Sequence, residues 1–239
     1  MASKDFDVDQ LAAYLHLTPE QITKLASRGK LPGRRIGGEW KFSESEIHHW
    51  LEDKIGVSDI EQLGEMEQLL ERTAAADEES IVLANLMHLE SIAIPLTSRT
   101  RSSVIRDMCQ LVAQTGLLWD AESMAEAVLA REQLHPTALE NGVALLHPRR
   151  PMASILAEPI LGLGITHQPL PFGNSAGHLT DIFFLICSTD DRVHLRILAR
   201  LSRVLAEPGA LEALRSVQSP QEAIEWMRTA ESEWVASDS

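Results

Sequence analysis

Two histidines occupy positions suited to chemistry. His147 closes the short apolar run Val143–Leu146 and opens a basic turn, Pro148-Arg149-Arg150. His194 falls in the first turn of a helix predicted over "DDRVHLRILARLSRVLAE", directly after the apolar run "DIFFLIC". In an open α/β sheet, ligands collect where strand ends meet helix N-termini. An imidazole changes charge near neutrality and serves as nucleophile, base or hydrogen-bond donor. The two arginines beside His147 suit an anion. Taken singly, a histidine in such a place is structural more often than not. The other seven of the nine histidines have no special setting, and the adjacent His48 and His49 lack the companion spacing of a metal site.

The elements that must position these residues follow from pattern. "GVALL", "PILGLGIT" and "DIFFLIC" read as strands, as does "ESIAIPL" upstream. "TRSSVIRDMCQLVAQTG" reads as a helix with Val104, Met108 and Leu111 inward and Gly116 as its stop. "DAESMAEAVLAREQL" is a second helix, capped by Asp120. In the helix carrying His194, Val193, Ile197, Leu198, Leu201 and Leu205 form one apolar stripe. "THQPLPFGNSAGHL" is expected to be loop, with His167 and His178 in solvent. Strands mixed with helices predict an α/β domain over residues 81–239, a mixed β-sheet flanked by helices.

Residues 1–53 read differently. Leu11, Ala12 and Leu15 mark one short helix. Thr18, Pro19 and Gln21 open a second with a capping box, and Gly29 stops it. Gly37-Gly38 joins two short strands in a hairpin. Ile47, Trp50 and Leu51 stripe a third helix. Helix, tight turn, helix and hairpin make a small winged helix-turn-helix domain. Residues 54–80 form an acidic, helix-forming linker with a stripe of Ile60, Leu63, Met66 and Leu70.

The net charge of −14 is unevenly spread. Residues 55–239 carry −13 of it, whereas Lys24, Arg28, Lys30, Arg34, Arg35 and Lys41 face only Glu39 within residues 21–41. A basic patch on an acidic protein points to a local nucleic-acid contact. Thr23, Lys24 and Arg28 on the second helix are expected at bases or phosphates, with Arg34, Arg35 and Lys41 on the wing. A solvated basic face on a small protein-binding domain is the alternative. Cys109 and Cys187 sit in apolar runs far apart and read as reduced core residues. No signal peptide is visible, and no apolar run approaches the ~20 residues of a membrane span. Cytoplasmic residence without membrane insertion is expected. No metal or cofactor is called for.

Two resemblances sharpen this reading. "LPGRRIGGEWKF" resembles the wing of excisionase/MerR-like DNA-binding domains. "LAREQLHPTALENGVALLHPR" resembles the signature of fructose/mannitol-type (nitrogen-regulatory) enzyme IIA domains of the phosphoenolpyruvate:sugar phosphotransferase system, with Arg131, Glu132, Pro136, Thr137, Gly142, Ala144 and His147 in register with its pattern. "DRVHLRILARLSRVL" is similar to that family's second histidine segment, with His194 in place. The resemblance implies that His147 accepts a phosphoryl group from HPr or an HPr-like carrier, which would make the chain a phosphotransferase component. It also implies that His194 stabilises the phosphoryl oxygens, helped by the N–H groups of its helix start, and that Arg131 contacts phosphate or partner. The sequence departs from the pattern at Leu146 and Pro148, where the family places proline before the histidine and a small residue after it. Three functions stay open: a DNA-binding regulator responsive to phosphorylation, a IIA component serving a separate IIB protein, and a IIA domain kept only for binding. A homodimer would suit a basic head of this size.

Overall fold

The structure is a computed structural model that describes residues 5–15, 17–55, 81–134, 136–173 and 177–237. The chain divides into two compact units, Met1–Glu79 and Ser80–Ser239. The linker stripe from Ile60 to Leu70, and His135, lie outside the described residues.

The N-terminal unit contains strand β1 (Asp5–Phe6), helices α1 (Val8–Tyr14) and α2 (Pro19–Ser27), strands β2 (Arg34–Ile36) and β3 (Glu39–Ser43), and helix α3 (Glu44–Ile55). Both short helices begin with reciprocal capping boxes, Asp7 with Gln10 and Thr18 with Gln21. Two otherwise orphaned N–H groups are thereby satisfied at each start. β2 and β3 form an antiparallel hairpin closed by Gly37 and Gly38, with φ of 63° and 90°. That double left-handed turn matches the twist of a two-residue hairpin and suits glycine at both positions. β1 pairs on the far side of β3. Leu11, Ile22, Leu31, Phe42, Ile47 and Leu51 are the fully buried core.

The C-terminal unit is built on a four-stranded sheet of order β4-β6-β7-β5, from β4 (Ile92–Ala93), β5 (Val143–Leu146), β6 (Ile160–Pro171) and β7 (Leu179–Cys187). β6 and β7 are antiparallel; β4 on β6 and β5 on β7 are parallel. Helices α4 (Arg101–Ala113) and α5 (Ala121–Leu134) cover one face through Val104, Ile105, Met108, Cys109, Val112, Met124 and Val128. These pack with Ala144, Leu146, Phe183, Leu185 and Cys187 in one core. Gly162 and Gly164 lie under α4. A Cβ there would stand 2.7 Å from Val112 and from the Met108 sulfur, so their bareness lets helix and sheet close together. Residues of alternate parity, Val143, Leu145, Ile182, Phe184 and Ile186, are also buried and face the other side, where helix α6 (Asp191–Ala206) packs on β7. Helices α7 (Ala210–Ser216) and α8 (Pro220–Ser237) complete the unit.

Four local readings change. The upstream strand spans only Ile92–Ala93 and follows two 3₁₀ turns, Leu83–Leu86 and Leu89–Ser91. β6 runs on through His167 to Pro171, past a register shift between Ile165 and Leu170, so His167 is an exposed strand residue. α6 is buried around its whole girth from His194 to Leu205, where the pattern showed a single apolar stripe. Leu111 is half-buried, and Ile105, Cys109 and Val112 complete the inward face of α4. Among the described residues, no helix is long and apolar enough to cross a membrane, and no group of three or more His, Cys, Asp or Glu could hold a metal ion.

Candidate active site

His147 is the residue after β5. Because Val143 and Leu145 face α6, period-two alternation turns His147 to that same face. There it meets His194 in the first turn of α6, with ring centroids 4.9 Å apart and planes inclined by 49°. Both side chains are buried, at 3% and 4% exposure. The Nδ1 of His147 lies 2.8 Å from the carbonyl oxygen of Leu145. A carbonyl can only accept, so Nδ1 carries the proton and Nε2 carries the lone pair.

β5 is held on both edges. Along β7 it pairs from Val143 with Ile182 to Leu146 with Leu185. Its other edge is closed by the turn that precedes it: Leu139 donates to the Val143 carbonyl at 2.7 Å, Leu145 donates to the Thr137 carbonyl at 3.3 Å, and Ala138 bridges Ala144. Gly142 makes this return possible. It sits at φ 90°, and a Cβ there would be 2.7 Å from the Arg215 guanidinium. Arg215 pairs with both carboxylate oxygens of Asp181, at 2.7 and 2.9 Å, and donates to the Asn141 carbonyl at 2.9 Å. The hydrogen bond to Asp181 is the main cause that raises the Arg215 pKa, with the Asp181 charge adding to it against partial burial.

Glu132, fully buried at the end of α5, anchors the turn. It accepts from the Thr137 amide at 2.9 Å and from the Thr137 hydroxyl, and pairs with Arg101 at 2.9 Å. Hydrogen bonds therefore run from Glu132 to Thr137, from the Thr137 carbonyl to the Leu145 amide, and from the Leu145 carbonyl to His147. Sequence reasoning matched Glu132 and Thr137 to a pattern without assigning them a task. The signal available was a buried-type carboxylate five residues before a threonine at a helix end.

Arg131, also buried, is brought to the loop that leaves His147. With Ala127, Ala130 and Leu134 it lines a cleft whose other wall is Pro148–Met152. The expected help from the α6 start takes another form. The Asp190 carboxylate caps that helix, accepting from the Arg192 and Val193 amides at 2.9 Å each, while the His194 amide donates to the Asp190 carbonyl. Two of those N–H groups are thus committed to a resident negative charge and the third to a carbonyl.

On the N-terminal unit, Thr23, Lys24 and Arg28 are exposed on or at the end of α2, and Arg34 and Arg35 are exposed on β2. Arg34 is drawn into an ion pair with Asp5 at 2.8 Å, which raises its pKa through the Asp5 hydrogen bond. Arg35 lies over the Trp40 ring at 5.0 Å, and half-buried Lys41 stands 3.9 Å from Glu39.

The family described as "Phosphoenolpyruvate-dependent sugar phosphotransferase system, EIIA 2" matches residues 85–229, more than half of the chain. The chain belongs to this family. A helix-turn-helix family matches residues 6–54. The EIIA region is 25% identical over 145 residues to the fructose-specific EIIABC component of Bacillus subtilis, covering 60% of this chain and 22% of that protein. It is 27% identical over 143 residues to a nitrogen regulatory protein of Bradyrhizobium diazoefficiens, covering 58% of this chain and 90% of that one. The chain thus spans less than a third of the first relatives it matches and nearly all of the nitrogen-regulatory ones. In fold, it is similar to the nitrogen regulatory protein IIA-Ntr of Neisseria meningitidis, with a TM-score of 0.55 and 20% identity over 62% of this chain and 99% of that one. It is also similar in fold to the Escherichia coli enzyme IIAMTL solved in complex with phosphorylated enzyme IIBMTL, with a TM-score of 0.52 and 18% identity over 60% of this chain and 97% of that one.

Proposed function

We propose that the EIIA unit accepts a phosphoryl group on Nε2 of His147 from a phosphohistidine of an HPr-like carrier. The helix-turn-helix unit binds DNA, and the phosphoryl group changes that binding. The observation that carries the acceptor reading is the contact of the His147 Nδ1 with the Leu145 carbonyl at 2.8 Å, which places the ring proton on Nδ1 and makes Nε2 the nucleophilic nitrogen. In the transfer, the Nε2 lone pair forms the new N–P bond as the donor's N–P bond breaks, and the electron pair returns to the donor imidazole. The proton stays on Nδ1, hydrogen-bonded to the Leu145 carbonyl, which steadies the positive charge spread over the phosphorylated ring. No acid–base chain is needed; positioning and charge stabilisation are the contribution of the site. His194 supplies an adjacent imidazole, and Arg131 with Arg149 and Arg150 supplies positive charge to the phosphoryl oxygens.

The regulatory half rests on charge. Phosphorylation adds about −1.5 to −2 charges to a region already at −13, in a chain whose N-terminal unit carries a basic patch. Cytoplasmic residence fits this reading and the two free, buried thiols.

The test is phosphoryl transfer in vitro. The full chain is incubated with phosphoenolpyruvate, enzyme I and the carrier, and its intact mass is followed in non-acidic buffer, with His147→Ala alongside. A gain of one phosphoryl group that the variant lacks supports the reading. DNA affinity is then compared between the two states, and equal affinities sink the coupling. Onward transfer to a IIB protein makes the chain a transport component as well. No gain from an active carrier leaves a binding module.

A further inference from the structure

The outer side of α5 carries a ridge of exposed residues spaced by four: Glu122, Glu126, Ala130 and Leu134. Side chains at that spacing lie one above the other on a helix. The ridge changes character along its length. Its first half is acidic; its second half is apolar, with Leu134 64% exposed. The loop leaving His147 runs beside the second half, where α5 and Pro148–Met152 enclose an apolar cleft of about 420 Å³. Arg149 and Arg150 are exposed at its rim. Just before the first half comes Trp119, 65% exposed. Its backbone is held, because its amide donates to the Ile155 carbonyl at 2.9 Å and the next residue, Asp120, caps α5 through the Ser123 amide.

One end of this face therefore presents an indole and two carboxylates, and the other an apolar cleft and two guanidinium groups. The ends complement each other in shape and sign. They lie roughly 20 Å apart along the helix, so they cannot meet within one chain. A twofold axis across the middle of α5 brings the first end of one copy onto the second end of another, and does so twice. Charge favours this occupant. Residues 55–239 carry −13, so two copies repel over most of their surfaces, and attraction arises where a face holds both signs at separate ends.

We propose that α5 packs antiparallel against α5 of a second copy of this chain. Trp119 of each enters the cleft of the other, and Glu122 and Glu126 of each pair with Arg149 and Arg150 of the other. Ala130, near the crossing point, lets the two helices approach closely. Tryptophan and arginine are the residue types that most often carry the energy of an interface. The cleft supplies the indole with an apolar seat that solvent does not. On the DNA-binding reading above, such a pair offers two helix-turn-helix units to one duplex, so self-association and affinity for a two-site operator rise together.

Sedimentation velocity of the full chain from about 1 to 100 μM tests this. The original protein is expected to pass from monomer to dimer. Trp119→Ala should weaken association about thirtyfold. Two charge-reversed proteins, Arg149→Glu/Arg150→Glu and Glu122→Lys/Glu126→Lys, should each stay monomeric, because each would set like charges together at both ends. Mixed in equal amounts they should form a heterodimer, since opposite charges then meet at both ends. A variant that had merely lost its fold would not recover on mixing. Monomers at every concentration leave this face to a different protein and overturn the proposal. So does a dimer that Trp119→Ala leaves unchanged, which would place the contact elsewhere, or a mixture of reversed variants that fails to pair. No phosphoryl donor enters these measurements, so they stand or fall apart from the acceptor reading.

Discussion

The rings of His147 and His194 stand 4.9 Å apart on one face of the sheet, although 46 residues separate them in the chain. β5 and β7 are parallel neighbours, so their C-terminal ends lie at the same edge of the sheet, where β5 releases His147 and β7 leads into α6. The neighbour proposed to steady a developing phosphoryl charge is therefore an imidazole from the helix that follows the adjacent strand. Removing one positioned donor of this kind costs about a hundredfold in rate. His194→Ala should accept phosphoryl from the carrier about a hundred times more slowly than the original protein, and His194→Gln, which keeps a side-chain N–H, should recover part of that loss. Rapid-quench phosphorylation time courses read both.

Glu132 is the far end of the hydrogen-bond run that fixes the His147 tautomer. Its carboxylate serves two donors of Thr137 and pairs with Arg101, whose side chain is 32% exposed. An amide cannot accept on its nitrogen, so Glu132→Gln leaves one of these groups without an acceptor, at about 1–3 kcal/mol. Urea unfolding should show that loss. The imidazole nitrogen resonances of His147 should also shift from a single Nδ1–H form toward a tautomeric mixture, which a purely structural residue would not cause.

Much of this site was legible because the chain advertises it locally. The apolar run that ends on His147 is β5, and the acidic start of the His194 helix is α6. The Thr18–Gln21 and Asp120 caps and the Gly37-Gly38 turn also form as their residue types dictate. Illegible were features set by partners distant in sequence. Arg196, Arg200 and Arg203 look like the solvated side of an amphipathic helix, yet all three are buried, and Arg200 meets Glu231 of α8. The N–H groups at the start of α6 look available for an anion until Asp190 is seen to occupy them. The extension of β6 through His167 depends on its pairing with Leu179 and Thr180, beyond the reach of a local pattern crowded with proline and glycine.

The wing arginines should separate by function. Arg35 is exposed over Trp40, while Arg34 is partly neutralised by Asp5. Each phosphate contact contributes about one unit to the slope of log affinity against log salt. Arg35→Ala and Lys24→Ala should each flatten that slope by about one. Asp5→Asn, which releases Arg34, should steepen it and tighten binding to nonspecific duplex. Fluorescence anisotropy at several salt concentrations measures all three.

Burial pushes the Cys109 thiol up to about 12 and raises Cys187 as well, with the neighbouring Cys109 adding to the latter. Both should be inert to a thiol reagent near pH 8 in the folded protein, and both should react after denaturation. The sign with pH follows from the raised values. The folded state holds its thiol protons more tightly than the unfolded chain, so this contribution is intact below the ordinary thiol value of 9.0 and is lost as pH rises toward 12. Alkaline unfolding monitored by circular dichroism should begin earlier for the original protein than for Cys109→Ala.

Glu231 of α8 carries more than an ion pair. Its carboxylate lies 3.0 Å from the Arg200 guanidinium and accepts the amides of Leu83 and Ala84, at 2.8 and 3.0 Å, so it joins α6, α8 and the first 3₁₀ turn at one buried point. Removing one partner of a buried pair costs about 3–5 kcal/mol, because the other charge is left uncompensated. Glu231→Ala strands both the Arg200 charge and two backbone donors, and should fall at or above the upper end of that range. Glu231→Gln keeps one acceptor oxygen and should cost less. Arg200→Met leaves the carboxylate its two N–H groups and fills the space with apolar volume, so it should cost least of the three. Urea midpoints, taken at constant slope, give the order directly. An Arg200→Met loss as large as that of Glu231→Ala would mean that the helices are joined by the charge pair and that the backbone donors contribute little.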